Sequence, residues 1–207
     1  GVTLVNADGP RAEALAIALR LRQAAEDGQT AALITPDRML SRQVTAALDR
    51  WDIIPDDSAG MPLHLSPPGR LMRHIAQLFR KPLDAELLLT LLKHPLTHST
   101  ETRNQHQLNT QRLELQMRKD GLPYPKKASL VALAKRAMSD DAAQSELQAW
   151  ANWVGETLCG LDDAGERPLT EWVAQHRDTA EALARGMAGD GTGQLWEKQA
   201  GVKALGI

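Results

Sequence analysis

Arg38 and Arg42 are the residues of this chain best suited to holding an anion. Four positions apart, they share one face of a helix. Two guanidinium groups on one face can grip the phosphates of a nucleic-acid strand, because each offers a planar fork of donors. They follow Thr35-Pro36-Asp37, a start signal for a helix, and Ser41 stands beside Arg42. Arg38 and Arg42 are thus the candidate contacts to a nucleic-acid strand. The plainer reading is a solvated face with an ion pair to Asp37 or Asp49, since surface arginines are common.

Other residues could also do chemistry, and each has a plainer explanation. The turn NADGP at 6–10 leads into a helix whose N-terminus could hold phosphate. The chain contains neither G-x-G-x-x-G nor G-x-x-x-x-G-K-[ST], so this reads as an ordinary turn. Asp56-Asp57 lacks a third ligand for Mg²⁺ and reads as a loop or cap. His94 and His98 have the spacing of two zinc ligands on a helix, but Pro95 breaks that geometry. Cys159 falls in an apolar stripe with Val154 and Leu158 and reads as a structural thiol. The basic stretches 70–73, 112–119 and 126–136 read as solvated helix faces scattered among carboxylates, amides and apolar residues. Trp150, Trp153 and Trp172 have apolar neighbours and read as packing groups. No catalytic set is complete.

Composition narrows the class. The 207 residues are 43% hydrophobic and carry a net charge of -2, which excludes a disordered chain and a strongly basic coat. Aromatics at 3% exclude a broad base-stacking surface. One cysteine excludes a disulfide framework. No apolar run approaches the roughly 20 residues that span a bilayer, and the first residues do not form a signal peptide. A soluble, cytoplasmic protein is expected. Gly1 in place of Met and an apolar C-terminal end read as cuts from a longer chain.

The elements that would position these residues change character along the chain. Residues 2–6, 30–35 and 53–54 are short apolar runs bounded by turns and read as strands. Between them, 10–27 and 37–51 have helical spacing. This β-α-β-α-β order predicts a small parallel sheet. After the turn-rich 56–68, helices are expected over 69–81, 84–94, 107–118, 129–138, 142–161 and 169–187, with a Gly-rich hinge at 189–193 and a short helix at 195–200. The expected organisation is an α/β unit over 1–65 and a helical region over 66–207.

The string ALITPDRMLSRQVTAALDRWDIIPDDSAGMPL, then SPPGRLMRHIAQLF, then LLTLLKHPLTH, resembles the bacterial AddB family. The motifs run in order as Thr-Pro-Asp-Arg, Ser-Arg-x-Val, Trp-Asp-Ile, Asp-Asp-Ser-x-Gly, Pro-Pro-Gly-Arg and Lys-His-Pro-Leu, with Leu-Glu-Leu at 113–115. The resemblance covers about 2–124. That family is the B subunit of a two-subunit helicase–nuclease that processes DNA double-strand breaks for homologous recombination.

The resemblance implies a partial RecA-like unit, as in the second domain of P-loop helicases, followed by a helical insertion. It places Thr35, Arg38, Ser41 and Arg42 in a short motif at a strand end, which makes these four the expected DNA-binding set. It implies an AddA-like helicase–nuclease partner and DNA, with no membrane. For the parent assembly it implies an iron–sulfur cluster, Mg and ATP. A lone cysteine and the missing phosphate-binding loop put those groups outside this piece, which would neither hydrolyse ATP nor cut DNA. Two rival readings stand beside it. One is a flavodoxin- or receiver-like α/β binding module with its ligand where Ala7-Asp8 and Thr35–Asp37 converge. The other is a helical scaffold that binds a partner protein through the residues after Pro68.

Overall fold

Pro10 starts the first helix, where its missing N–H costs nothing. In the computed structural model, helix α1 spans Pro10–Glu26 and α2 spans Arg38–Leu48. The structure describes all residues except 59, 61, 138–140, 164, 188 and 207, and the side chain of Asp163. The chain divides into two compact units, Gly1–Gly60 and Met61–Ile207.

In the first unit α1 and α2 pack together through Ala14, Ala18, Val44 and Leu48. The two small alanines let the helices approach closely. Asp37 caps α2 by accepting the Met39 N–H at 2.7 Å, and a 3₁₀ turn at Asp49–Trp51 follows. Arg22 lies 4.9 Å over the Trp51 ring, a cation–π contact.

The expected α/β fold with a parallel sheet is incorrect. Among the described residues there is no strand, and the architecture is all-helical. Residues 2–6, 30–35 and 53–54 run without a ladder. Val2, Leu4, Val5, Ile34 and Ile54 are exposed, while Leu33 and Ile53 lean on the α1–α2 pair. A short apolar run between turns suits an extended segment laid on helices as well as it suits a strand; only a neighbour exchanging backbone hydrogen bonds makes it a strand. Ile53 N–H instead goes back to the Leu48 carbonyl at 3.3 Å and closes the end of α2. The RecA-like unit and the flavodoxin- or receiver-like alternative both fall with the sheet.

The second unit holds α3 (Pro67–Leu78), α4 (Ala85–Leu92), α5 (Arg103–Asp120), α6 (Lys127–Ala137), α7 (Asp141–Leu158), α8 (Leu169–Arg185) and α9 (Lys198–Leu205). Ser66 caps α3 through the Gly69 N–H, and a Cβ at Gly69 would collide with the Leu63 carbonyl. Asp84 caps α4 by accepting the Leu87 N–H at 2.7 Å. Helix α4 (AELLLTLL) buries Leu87, Leu88, Leu91 and Leu92. Leu71, Ile75 and Leu78 of α3, Leu113 and Met117 of α5, Leu130 and Leu133 of α6, and Leu147 and Trp150 of α7 complete one core with them.

Leu91 is fully buried at the centre of that core. Leu91→Ala should cost about 2–5 kcal/mol of stability. Trp51 is the one tryptophan of the first unit, so urea unfolding followed by fluorescence in a Trp51→Phe background reports the second unit. A loss below about 1 kcal/mol would contradict this assignment of the core.

Candidate functional site

The start of α2 gathers all four residues of the expected DNA-binding set. Thr35 Oγ1 accepts the Asp37 N–H at 3.1 Å, so Thr35 and Asp37 together shape the turn into the helix. Arg38 and Arg42 are exposed. Among the described residues neither forms an ion pair, so the expected pairing with Asp37 or Asp49 is not made. A cleft of about 660 Å³ lies alongside, lined by Thr35, Arg38 and Ser41 with Leu33, Asp56 and Asp57. Arg42 does not line it. The cleft therefore presents one arginine, Arg38, beside carboxylates, while Arg42 stands exposed outside it. Chemically this arrangement can bind an anion at the surface.

The remaining candidates disperse. Ala7 and Asp8 precede α1, and no side chain caps that helix at Gly9. Cys159 is half-buried with its thiol on the Pro125 carbonyl at 3.8 Å, and burial raises its pKa. Trp172 packs edge-on against Phe79 at 5.2 Å. No three His, Cys, Asp or Glu side chains among the described residues converge as metal ligands.

His94 and His98 instead belong to a buried polar junction, together with a third histidine, His106, that the sequence reading passed over. His106 Nε2 donates to the Leu92 carbonyl at 2.7 Å, and its Nδ1 accepts the Trp150 indole N–H at 3.1 Å. Since an indole only donates and a carbonyl only accepts, these partners fix the neutral Nε2–H form. The His98 ring stacks on His106 at 4.9 Å, and Trp153 lies edge-on to both. His98 Nε2 accepts the Met187 N–H at 3.4 Å, which puts its proton on Nδ1, towards the Thr100 and Thr102 hydroxyls.

The same loop is held to the end of α8. His98 N–H and Ser99 N–H donate to the Leu183 and Ala184 carbonyls at 2.7 and 3.0 Å. Gly186 has φ +80°, and a Cβ there would stand 2.6 Å from the His98 ring. His94 Nδ1 accepts the Leu96 N–H at 3.2 Å, and its Nε2–H is buried with no partner among the described residues. Arg103 donates to the Thr97 carbonyl at 2.5 Å, and the Thr97 hydroxyl to the Leu91 carbonyl at 2.7 Å. The only signal for this junction was the polar run HPLTHST inside an apolar neighbourhood. It is a structural clasp joining α4, α5, α7 and α8.

No family model, curated protein or solved structure matches the chain. No described helix is long and apolar enough to cross a membrane.

Burial pushes the pKa of His94 and of His106 down to about 4, and nearby Arg103 adds to it in both. The folded state therefore binds fewer protons than the unfolded chain between about pH 4 and 6.5. Stability should be full above pH 6.5 and fall as the pH drops to about 4. The loss is on the order of 3 kcal/mol per ring at the low end. Urea midpoints between pH 7 and 4.5 measure this, and an unchanged midpoint across that window would contradict neutral, buried imidazoles.

Proposed function

We propose that this chain serves DNA double-strand-break processing as a non-catalytic part of an AddB-like subunit, acting as scaffold and as a contact along the DNA track. Its partner in that reading is an AddA-like helicase–nuclease. Two things support it. The first is the ordered run of motifs shared with that family. The second, which carries the reading, is the exposed Arg38–Arg42 pair at the start of α2, free of ion pairs among the described residues and placed within the same motif run. Two such groups suit a sequence-independent grip on phosphates.

The chemistry of the parent assembly lies elsewhere in this reading. An iron–sulfur cluster takes a set of thiolates, and this sequence has one cysteine. That residue is turned to a backbone carbonyl. ATP binding would need a phosphate-cradling loop that the sequence does not contain. The residues here do not fit those groups, and no step is routed through them.

Single-stranded DNA binding should be weak, salt-sensitive and reduced about tenfold by Arg38→Ala with Arg42→Ala, as expected for two lost phosphate contacts. Fluorescence anisotropy of a labelled oligothymidine at low salt reads this. Equal binding by the double variant and the parent chain would refute the role given to α2.

A further inference from the structure

A second cationic surface is set apart by what it lacks. No Asp or Glu occurs between Asp57 and Asp84, while Arg70, Arg73, Arg80 and Lys81 do. This segment includes the whole of α3. Leu71, Ile75 and Leu78 turn one side of α3 into the core. Arg70, Arg73, His74 and Gln77 recur at three- and four-residue steps, so they share one stripe of α3, and Arg80 stands in the turn just past its C-cap residue, Phe79. The helical part of the stripe is about 10 Å long at 1.5 Å per residue. The arginines are exposed; His74 and Gln77 are half-buried, and Gln77 Nε2–H donates to His74 Nδ1 at 3.4 Å.

The other basic stretches are neutralised in part: Arg118, Lys127 and Arg136 are paired, while Arg112, Lys119, Lys126 and Lys135 have no ion pair among the described residues. Glu114 takes both Lys93 and Arg118 at 2.6 and 2.7 Å, Glu156 takes Lys127 at 3.0 Å, and Asp120 takes Arg136. On the α3 segment only Lys81 is paired, with Asp84 at 2.7 Å. Among the described residues Arg70, Arg73 and Arg80 have no ion pair.

Beneath the stripe is His94, 7% exposed, whose Nε2 is the one described buried side-chain polar atom without a hydrogen-bond partner. The charged and titratable groups acting on it are Arg70 and His74 from α3 and Arg103 from α5. None is a carboxylate. Exposed cations with no carboxylate beside them suit an anion from outside; the buried His94 Nε2–H does not reach it.

We propose that Arg70 and Arg73 of α3, with Arg80 in the turn that follows it, bind the phosphodiester backbone of a single-stranded nucleic acid. This deepens the reading given above and rests on it for the class of ligand, while placing the main grip on a different helix and unit. The stripe contributes no aromatic stacking group, so contact is to phosphates alone and independent of sequence. Arg70 and Arg73 stand on α3 and Arg80 just past its C-cap residue, so one strand laid along the helix and beyond its end meets all three.

The test is anisotropy of labelled oligothymidine with the full chain, comparing Arg70→Gln/Arg73→Gln/Arg80→Gln with Arg38→Ala/Arg42→Ala. The triple variant should bind at least tenfold more weakly. The slope of log affinity against log salt should shrink by about 2, at roughly 0.7 for each lost single-strand phosphate contact. The stripe is exposed, so the urea midpoint should stay unchanged, and single Arg73→Gln should show a smaller loss in the same direction. In ¹⁵N-histidine spectra the oligonucleotide should shift His74 and leave His176, on α8, in place.

A triple variant that binds like the parent while the α2 variant fails would overturn this inference and leave the α2 reading standing. The reverse pattern would support it and remove α2. No binding by the parent chain would overturn both. Competition by polyglutamate, charge for charge, as effective as that of unlabelled oligothymidine would make the partner an acidic protein surface and overturn it.

Discussion

The leucines of α4 must be covered by more than one neighbour, and the second unit is the solution to that constraint. At about 100° per residue Leu87, Leu88, Leu91 and Leu92 span an arc of roughly 140° on one side of the helix, wider than a single neighbouring helix covers. Helices α3 and α5 flank α4 directly, and α6 and α7 close the same core from beyond. At about 1.5–3 kcal/mol for each fully buried leucine, this one short helix is a large part of the driving force. The first unit has no such helix. Its core is two alanines, a valine and a leucine between two helices, with several larger apolar side chains left at the surface.

A helix buried that deeply ends inside protein, and its last carbonyls need donors there. The polar junction supplies them. Leu91 and Leu92 carbonyls receive the Thr97 hydroxyl and the His106 Nε2–H, and the cap residue Lys93 sends its N–H back to Leu89. Trp150 then satisfies the remaining nitrogen of His106. Each bond fixes the next: a tautomer chosen at His106 by the end of α4 decides that α7 must present an indole N–H. Satisfied everywhere among the described residues but at the His94 Nε2–H, the network rigidifies the core; losing a further partner would cost more than the bond itself. This explains why polar residues follow LLTLLK at the heart of the apolar unit.

Helices and their caps were legible because their signals are local. Asp37 and Asp84 cap as their positions suggest, and the stripes of α3, α4 and α7 follow from spacing. The sheet was misread because its signal is not local. The runs at 2–6, 30–35 and 53–54 have strand composition, yet a strand exists only through a neighbour, and apolar density does not supply one. The α2 candidates were found because Arg38 and Arg42 are periodic. The histidine junction was missed because His98 and His106 meet two tryptophans 44 to 55 positions along the chain, which spacing cannot reveal.

Charge was the subtlest case. Counted along the sequence, 24 basic and 26 acidic residues look evenly mixed, and every basic stretch looks like solvated surface. Folding sorts some of them. Glu114 of α5 takes Lys93 from the end of α4 as well as Arg118 of its own helix, and Glu156 of α7 takes Lys127 of α6. Arg70 and Arg73 of α3 and Arg80 just past it, drawn from a stretch without carboxylates, have no such partner among the described residues. A near-neutral protein thereby keeps unpaired cations on and just beyond one helix. Exposed ion pairs add little stability, so their distribution matters less for holding the fold than for deciding which surface still has charge to offer an anion. What the chain can bind is therefore set by where its acids are absent, a property of the folded surface that net charge conceals.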